Sequence, residues 1–212
     1  MAGGTNGGNG AAENEHESSA SNREVESDLF PRAVENPWKT LSSRIVYENR
    51  RVRLREDQVT TPANTPGSYT YLEAAHPVAV IAALDDAERL YLVREWRYVW
   101  GRDSWELPGG LLEAGEDPIA GAKRELAEEA GVQAEEWQHL VQFHVSASIS
   151  TPFHFFLARG LSPISATRDL EEADMIVRAV PLPAVVQAVM DGTIVHAASI
   201  GGILRVARLL GH

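Results

Sequence analysis

The stretch Gly109–Val132, GGLLEAGEDPIAGAKRELAEEAGV, concentrates the acidic residues that decide the fold. Glu125, Glu128 and Glu129 lie three and four positions apart, a spacing at which carboxylates on one helix repel each other. At about 100° per residue they share one face, while Leu126 turns toward the core. For an isolated ELAEE the alternative is a solvated acidic face. A positive group is therefore expected among them, and hard cations such as Mg²⁺ take such oxygen ligands.

The same stretch predicts where this helix begins and ends. Asp117 can cap the first free amides, and Pro118 suits the first helical position because its missing N–H is not needed there. Gly131 suits a left-handed residue at the other end. The spacing predicts a helix of about a dozen residues between them.

Composition restricts the classes of function. The chain has 212 residues, a formal net charge of −11 and no cysteine. Disulfides, thiolate metal sites and a cysteine nucleophile are therefore excluded, and a reducing, cytoplasmic location is expected. The acidic balance argues against general affinity for DNA or RNA. The apolar runs are too short to span a bilayer.

Two regions differ in composition. Residues 1–37 are rich in Gly, Asn, Ser and Glu and poor in apolar residues, which predicts a disordered acidic tail. Residues 38–212 are expected to form one domain, which begins with the β-like runs RIVYEN, RVRLRED, SYTYLEAA, PVAVIAAL and LYLVREWR. We expect these runs to form an antiparallel meander.

The second half of that domain combines both kinds of element. HLVQFHVS, FHFFLAR and ADMIVRAVPL read as strands, whereas PAVVQAVMDG and ASIGGILRVARLL read as amphipathic helices. Strands that flank one central helix, followed by helices at the end, predict an α+β sandwich with a mixed sheet.

The acidic stretch also fits a longer pattern. It contains a glycine, five residues, a glutamate, seven residues, and then Arg-Glu-aliphatic-any-Glu-Glu-any-Gly-aliphatic. The specified positions are Gly110, Glu116, Arg124, Glu125, Leu126, Glu128, Glu129, Gly131 and Val132. This pattern resembles the Nudix box at every position. The resemblance implies a Nudix hydrolase with an α/β/α sandwich and the family's loop-helix-loop, cleaving a nucleoside diphosphate linked to another group.

The resemblance also implies a metal site for Mg²⁺ or Mn²⁺. Glu125 and Glu129 would be the principal ligands, Glu128 a further ligand or an orienting group, and the backbone carbonyl of Gly109 would complete the shell. A bound cation neutralises the anionic oxygens of a pyrophosphate, which opens phosphorus to attack by water.

Three further positions of the box would support its shape. Gly110 belongs to the loop, and Arg124 and Glu116 would pair without ligating the metal. In the branch that this chain resembles, the water-activating carboxylate usually lies in a loop after the later strand. Here RDLEEAD supplies Glu171 and Glu172, with Glu128 of the box as the next candidate.

Similarity beyond the box points to the ADP-ribose pyrophosphatase-like branch. LVREWRYVWGRDSWELPGG is similar to that branch's strand, arginine and ELPAG pattern, with Gly109 in place of the usual alanine. By this match Arg97 would bind phosphate and Glu106 would contact phosphate or a ribose hydroxyl. Trp38 would stack on the nucleobase, or pack in a core or interface.

One departure bears on the substrate. The branch commonly has a proline in a PG turn beyond the box, where this chain has Ala147 and Ser148. ADP-ribose, split into AMP and ribose 5-phosphate, is expected ahead of other nucleotide sugars. The alternatives are a hydrolase of oxidised nucleoside triphosphates that releases pyrophosphate, and a non-catalytic ligand sensor. The resemblance also implies a homodimer.

Overall fold

The computed structural model of the chain describes residues 1, 29–30, 35–164 and 174–212. The chain divides into two compact units, Met1–Leu41 with Val59–Gly67 and Ser42–Gln58 with Ser68–His212. Most of the predicted N-terminal tail lies outside the described residues. Among the described residues, no helix is both long and apolar enough to cross a membrane.

The first three strands form a sheet of their own in the order β1-β2-β3. The connections between successive strands of this sheet are short. Short connections join antiparallel strands, because parallel strands need a long crossover. This part of the predicted meander is therefore consistent with the structure. The strands are β1 Lys39–Glu48, β2 Val52–Thr60 and β3 Pro66–Ala74.

The remaining described strands form two sheets, ordered β4-β8-β7 and β6-β5-β9. They are β4 Val78–Ala83, β5 Arg89–Arg97, β6 Arg102–Glu106, β7 Val132–Phe143, β8 Phe153–Pro163 and β9 Ile176–Pro181. The expectation that β4 and β5 continue the meander is wrong. β4 pairs in parallel with β8, whereas β5 pairs with β6 and β9. The apolar run VAVIAA suits β4 because a parallel strand is covered on both faces.

The helices cover opposite faces of β4. They are α1 Pro118–Glu125, α2 Leu182–Met190 and α3 Ala197–Leu209, and α1 continues into a π-helical turn, Leu126–Ala130. Ile81 of β4 packs in one cluster with Leu126, while Val80 packs in the other cluster with Ile203 of α3. Successive residues of a strand point to opposite faces, so β4 separates two helical layers. The predicted α/β/α sandwich of α+β class is confirmed.

Candidate active site

The acidic helix begins and ends where the sequence predicts. The Asp117 carboxylate accepts hydrogen bonds from the backbone N–H groups of Ile119 and Ala120, at 3.1 and 3.3 Å. Gly131 ends the helix in the left-handed conformation, with φ of 66°. The π-helical form of the last turn was not predicted, and such turns are frequent at functional sites.

Arg124 lies among the carboxylates of the box. Its Nη1 donates to Glu125 Oε1 at 2.8 Å and to Glu128 Oε2 at 3.0 Å. Its Nε and Nη2 donate to the two oxygens of Glu116 at 3.1 and 3.0 Å, and Nη2 also donates to the Leu111 carbonyl. The hydrogen bond from Arg124 lowers the pKa of Glu116. Part of the repulsion within the acidic stretch is therefore offset by Arg124 itself.

Two glycines bring the loop before the helix against the other carboxylates. The Gly109 N–H donates to Glu129 Oε2 at 2.8 Å. A Cβ on Gly110 would lie 2.6 Å from Glu125 Oε2, and one on Gly109 would lie 2.2 Å from the Ala79 carbonyl oxygen. Both carboxylates are buried, with residue exposures of 7% for Glu125 and 5% for Glu129. The absence of side chains at these two positions thus lets the loop pack between β4 and the helix.

A second charged cluster lies at the end of β5. Arg97 Nε donates to Glu106 Oε1 at 2.8 Å, its Nη2 donates to Glu106 Oε2 at 2.6 Å, and its Nη1 donates to Glu95 at 3.0 Å. His196 Nδ1 lies 2.9 Å from the same Glu106 Oε2. Burial raises the pKa of Glu106, but the hydrogen bonds and charges of Arg97 and His196 outweigh it and lower this pKa to about 2. Glu106 is therefore held as an anion.

The loop before the acidic helix and the Arg97 cluster both border one cavity of about 570 Å³. Arg97, Glu106 and Gly109 line it, together with His196 and Trp100. Ligand pockets generally have volumes of about 300–1,000 Å³. The cavity therefore has the size of a small-molecule site and connects the loop of the box with the Arg97 cluster.

The sequence reasoning did not single out three residues of this cavity wall, namely Arg51, Trp100 and His196. Trp100 lies in a 3₁₀ turn between β5 and β6, and His196 directly precedes α3. Trp100 is 45% exposed. Its position three residues after Arg97 is a sequence signal that could have identified it. His196 carries no such signal, because only the fold brings it to Glu106.

The remaining predicted site residues are not part of the described cavity wall. Glu171 and Glu172 lie outside the described residues. Trp38 belongs to the first compact unit and is partly exposed, and its backbone N–H donates to Asn36 Oδ1 at 3.0 Å. Within the described parts of the chain, no three His, Asp or Glu side chains form a ready-made metal cluster.

The comparisons with known proteins identify the family. Residues 75–190 match the NUDIX domain. The chain belongs to the Nudix family. Residues 38–72 also match the nucleoside diphosphate sugar hydrolase N-terminal domain. The predicted resemblance is thereby confirmed, and the chain is a Nudix hydrolase.

This Nudix hydrolase is similar in sequence or structure to several other proteins. It is 36% identical over 176 residues to ADP-ribose pyrophosphatase of Mycobacterium tuberculosis, covering 82% of this chain and 84% of the relative. It is 28% identical to a CMP-5'-(N-acetyl-N-hydroxy-3-aminopropyl)phosphonate hydrolase of Streptomyces rubellomurinus over 82% of this chain and 84% of that relative. A crystal structure of an ADP compounds hydrolase has the same fold, with a TM-score of 0.73 at 19% identity, covering 84% and 96% of the two chains. Nudix hydrolases generally need a divalent metal ion.

Proposed function

We propose that this Nudix hydrolase cleaves ADP-ribose, or a closely related nucleoside diphosphate sugar, at the pyrophosphate. The products would be AMP and ribose 5-phosphate, and the cofactor would be Mg²⁺ or Mn²⁺. The observation that carries the proposal is the cavity, because Gly109 of the box and the Arg97–Glu106 pair line the same space. The similarity over most of the chain to an enzyme named ADP-ribose pyrophosphatase supports the substrate class.

The residues present fit a divalent cation of the Mg²⁺ type. Glu125 and Glu129 supply buried carboxylate oxygens, the donors that hard cations prefer, and Gly109 contacts Glu129 through its N–H. Buried carboxylates need a compensating positive charge. Glu125, Glu129 and the carbonyl of Gly109 would hold the ion, with Glu128 as a further ligand or orienting group. Once bound, the ion would offset the negative charge of the pyrophosphate.

The other residues of the box would keep these oxygens in place. Arg124 holds Glu125 and Glu128 from one side and Glu116 from the other, so its guanidinium fixes the directions of three carboxylates. Gly110 leaves space for the Glu125 carboxylate. We propose that these residues orient ligands and do not react themselves.

Removal of a proton from the attacking water would fall to the loop that carries Glu171 and Glu172. The described residues on both sides of this loop support that role. The Ile164 N–H donates to the Gly131 carbonyl at the end of the box at 2.9 Å, and Ile176 pairs with Arg94 of β5. The described residues that flank Glu171 and Glu172 in the sequence therefore lie beside the end of the box and beside β5, which contributes to the cavity wall. Glu128 is the next candidate for the base.

Substrate binding would use the second cluster. Arg97 donates hydrogen bonds to Glu106 and Glu95, which fix its guanidinium at the cavity wall. We propose that the N–H groups not used in these bonds bind phosphate oxygens. Glu106 would accept from a ribose hydroxyl through lone pairs that Arg97 and His196 leave. Four further expectations stay proposals. They are stacking of Trp38 on the base, a homodimer, a domain over residues 38–212 after an acidic tail, and a cytoplasmic location.

The test is product analysis over a panel of substrates. Purified chain, incubated with ADP-ribose, other nucleotide sugars and nucleoside triphosphates, each with Mg²⁺ or Mn²⁺, should release AMP and ribose 5-phosphate from ADP-ribose. The double variant Glu171→Gln with Glu172→Gln should lose most turnover but still bind substrate. If that variant keeps full turnover, Glu128 becomes the candidate base. Rapid pyrophosphate release from triphosphates, with nucleotide sugars untouched, would overturn the assignment and favour the alternative hydrolase.

A further inference from the structure

Two histidines face each other across the antiparallel strands β7 and β8. His154 Nδ1 lies 3.4 Å from His139 Nε2, and the centroids of the two rings are 5.4 Å apart. His139 is exposed and His154 is half-buried, so the pair is open to solvent on the side of His139. Water and small ions therefore have a path to both nitrogens.

A bulge in β7 contributes to this arrangement. His139 lies opposite Phe156 of β8, and the register of the two strands then shifts before Val141. Leu140 and Val141 both pack against the core cluster on one face of the sheet, while Phe156 belongs to the cluster on the other face. Two consecutive residues on one face are typical of a bulge. His139 contacts the Phe156 ring, and His154, two residues before Phe156, shares its face.

The distance between the two nitrogens fits a tetrahedral metal ion. Zn²⁺ binds imidazole nitrogen at about 2.0–2.1 Å in a tetrahedral arrangement, so two such nitrogens lie about 3.3–3.4 Å apart. A direct hydrogen bond from an N–H group is usually shorter, at about 2.7–3.2 Å. The two rings are therefore spaced for a shared ion and need little movement to bind it.

The surroundings of His154 also favour the form of the ring that binds a metal. An imidazole ligand must be neutral, with a lone pair on the nitrogen that contacts the ion. Burial lowers the pKa of His154, and the nearby His139 lowers it further. His154 is therefore neutral at neutral pH, and its lone pair is not lost to a proton.

From this arrangement we infer that His139 and His154 form a second metal site, which binds Zn²⁺ and is separate from the box. Imidazole nitrogens suit Zn²⁺, whereas the carboxylate oxygens of Glu125 and Glu129 suit Mg²⁺. In the part of the chain that the structure describes, no third His, Asp or Glu side chain completes the site. Water fills the other positions on the ion, so the dissociation constant should be roughly 1–100 µM, weaker than for a site with four protein ligands.

Zinc at this pair would join two strands close to the loop of the box. His154 lies beside Ala79 in the parallel register of β8 and β4, and the Ala79 N–H donates to the Gly110 carbonyl at 2.9 Å. An ion that binds the folded chain and not the unfolded chain raises the thermal unfolding temperature. The expected role of the site is to stabilise the sheet, with no part in the hydrolysis.

The experiment is calorimetric titration of Zn²⁺ into the full chain without a histidine tag, at mildly alkaline pH and with a large excess of Mg²⁺ to occupy the box. Zn²⁺ should bind the wild type and raise its unfolding temperature. His139→Asn and His154→Asn should each weaken this binding by at least about tenfold and remove the rise in unfolding temperature. His144→Asn, at an exposed position directly after β7, is the matched control and should bind Zn²⁺ as the wild type does.

Further measurements separate this site from the box and from an effect on folding. Glu129→Gln removes a proposed ligand of Mg²⁺ and should leave Zn²⁺ binding unchanged. Because His139 is exposed, His139→Asn should keep the wild-type unfolding temperature without Zn²⁺ and the wild-type turnover with Mg²⁺. Three results would overturn the inference: no Zn²⁺ binding to the wild type, equal Zn²⁺ affinity in the wild type and both histidine variants, or loss of Zn²⁺ binding in Glu129→Gln alone.

Discussion

Two arginine-centred clusters, one in the box and one at the end of β5, differ in their balance of charge. Arg124 contacts three carboxylates, whereas Arg97 contacts two and shares one of them with a histidine. The acids are Glu116, Glu125 and Glu128 in the first cluster and Glu95 and Glu106 in the second. Glu129 adds a further buried carboxylate next to the first cluster. Both clusters therefore have more acids than arginines, and the excess of negative charge is larger in the first cluster.

This difference separates two uses of the same side chains. An excess of carboxylates suits a site that binds a divalent cation, because the arginine fixes the acids without neutralising them. A tightly bonded cluster with a smaller excess of charge suits a rigid wall that orients a ligand.

The largest effect is expected for Glu129→Gln, which keeps the shape of the side chain and its acceptor for the Gly109 N–H. Loss of one charge should lower turnover by roughly two to four orders of magnitude at limiting Mg²⁺. The thermal unfolding temperature should stay close to that of the wild type. Steady-state kinetics and thermal denaturation measure the two quantities. Glu135→Gln, at an exposed position, is the matched control. If Glu129→Gln is as active as this control, Glu129 is not part of the cation site.

Glu106→Gln tests whether the second cluster needs its anion. Since the pKa of Glu106 is about 2 in the folded chain, below its usual value, the anion stabilises the fold above about pH 5. This contribution, about 3 kcal/mol, is lost as the pH falls toward 2. Denaturant unfolding of both proteins at several pH values should show a difference that shrinks on acidification. A difference that is independent of pH would contradict the assignment.

Arg124→Ala should lower both stability and activity, since it leaves three carboxylates without their shared partner. We expect a loss of about 2 kcal/mol in the free energy of unfolding, less than for a fully buried pair because the cluster is partly exposed. Arg124→Lys restores the positive charge but not the planar guanidinium, so it should recover part of the lost free energy of unfolding. Added Mg²⁺ should stabilise the variant if the cation site persists. Unchanged stability in Arg124→Ala would show that the cluster does not hold the loop.

The smallest effect is expected for Arg97→Lys. Lysine keeps the positive charge beside Glu106 but cannot make the paired contacts at 2.8 and 2.6 Å. We expect a loss of about 1 kcal/mol in unfolding free energy. Denaturant titration against Arg94→Lys, on the same strand, provides the comparison. An equal loss in both variants would mean that the fork geometry at Arg97 has no special role.

The sequence predicted the local features well because they depend on near neighbours. Three of these features follow from spacing along one helix, namely the cap at Asp117, the end at Gly131 and the burial of Leu126. The pairing of β4 with β8 could not be predicted, because it joins segments that are distant in the chain and passes over the adjacent β5. The contact between His196 and Glu106 depends on that same long-range packing.

The charge of the site shows the same limit. The need for a positive group among the glutamates is visible in the sequence, but the sequence does not show that Arg124 meets part of it. The resemblance implied that Arg124 pairs with Glu116, but its simultaneous contacts with Glu125 and Glu128 were not predicted.

The contact of Gly109 with β4 restricts how this loop can be exchanged. The carbonyls on either side of Gly109 accept from the N–H groups of Ala79 and Ile81 at 2.9 and 2.8 Å, so the two backbones are joined along their length. An alanine at position 109, the usual residue of the branch that the sequence resembles, would bring its methyl group within 2.2 Å of the Ala79 carbonyl oxygen. A chimaera that takes only this loop from an alanine-bearing relative would therefore need the relative's version of β4 as well. The two segments therefore have to be exchanged together, although more than twenty residues of sequence lie between them.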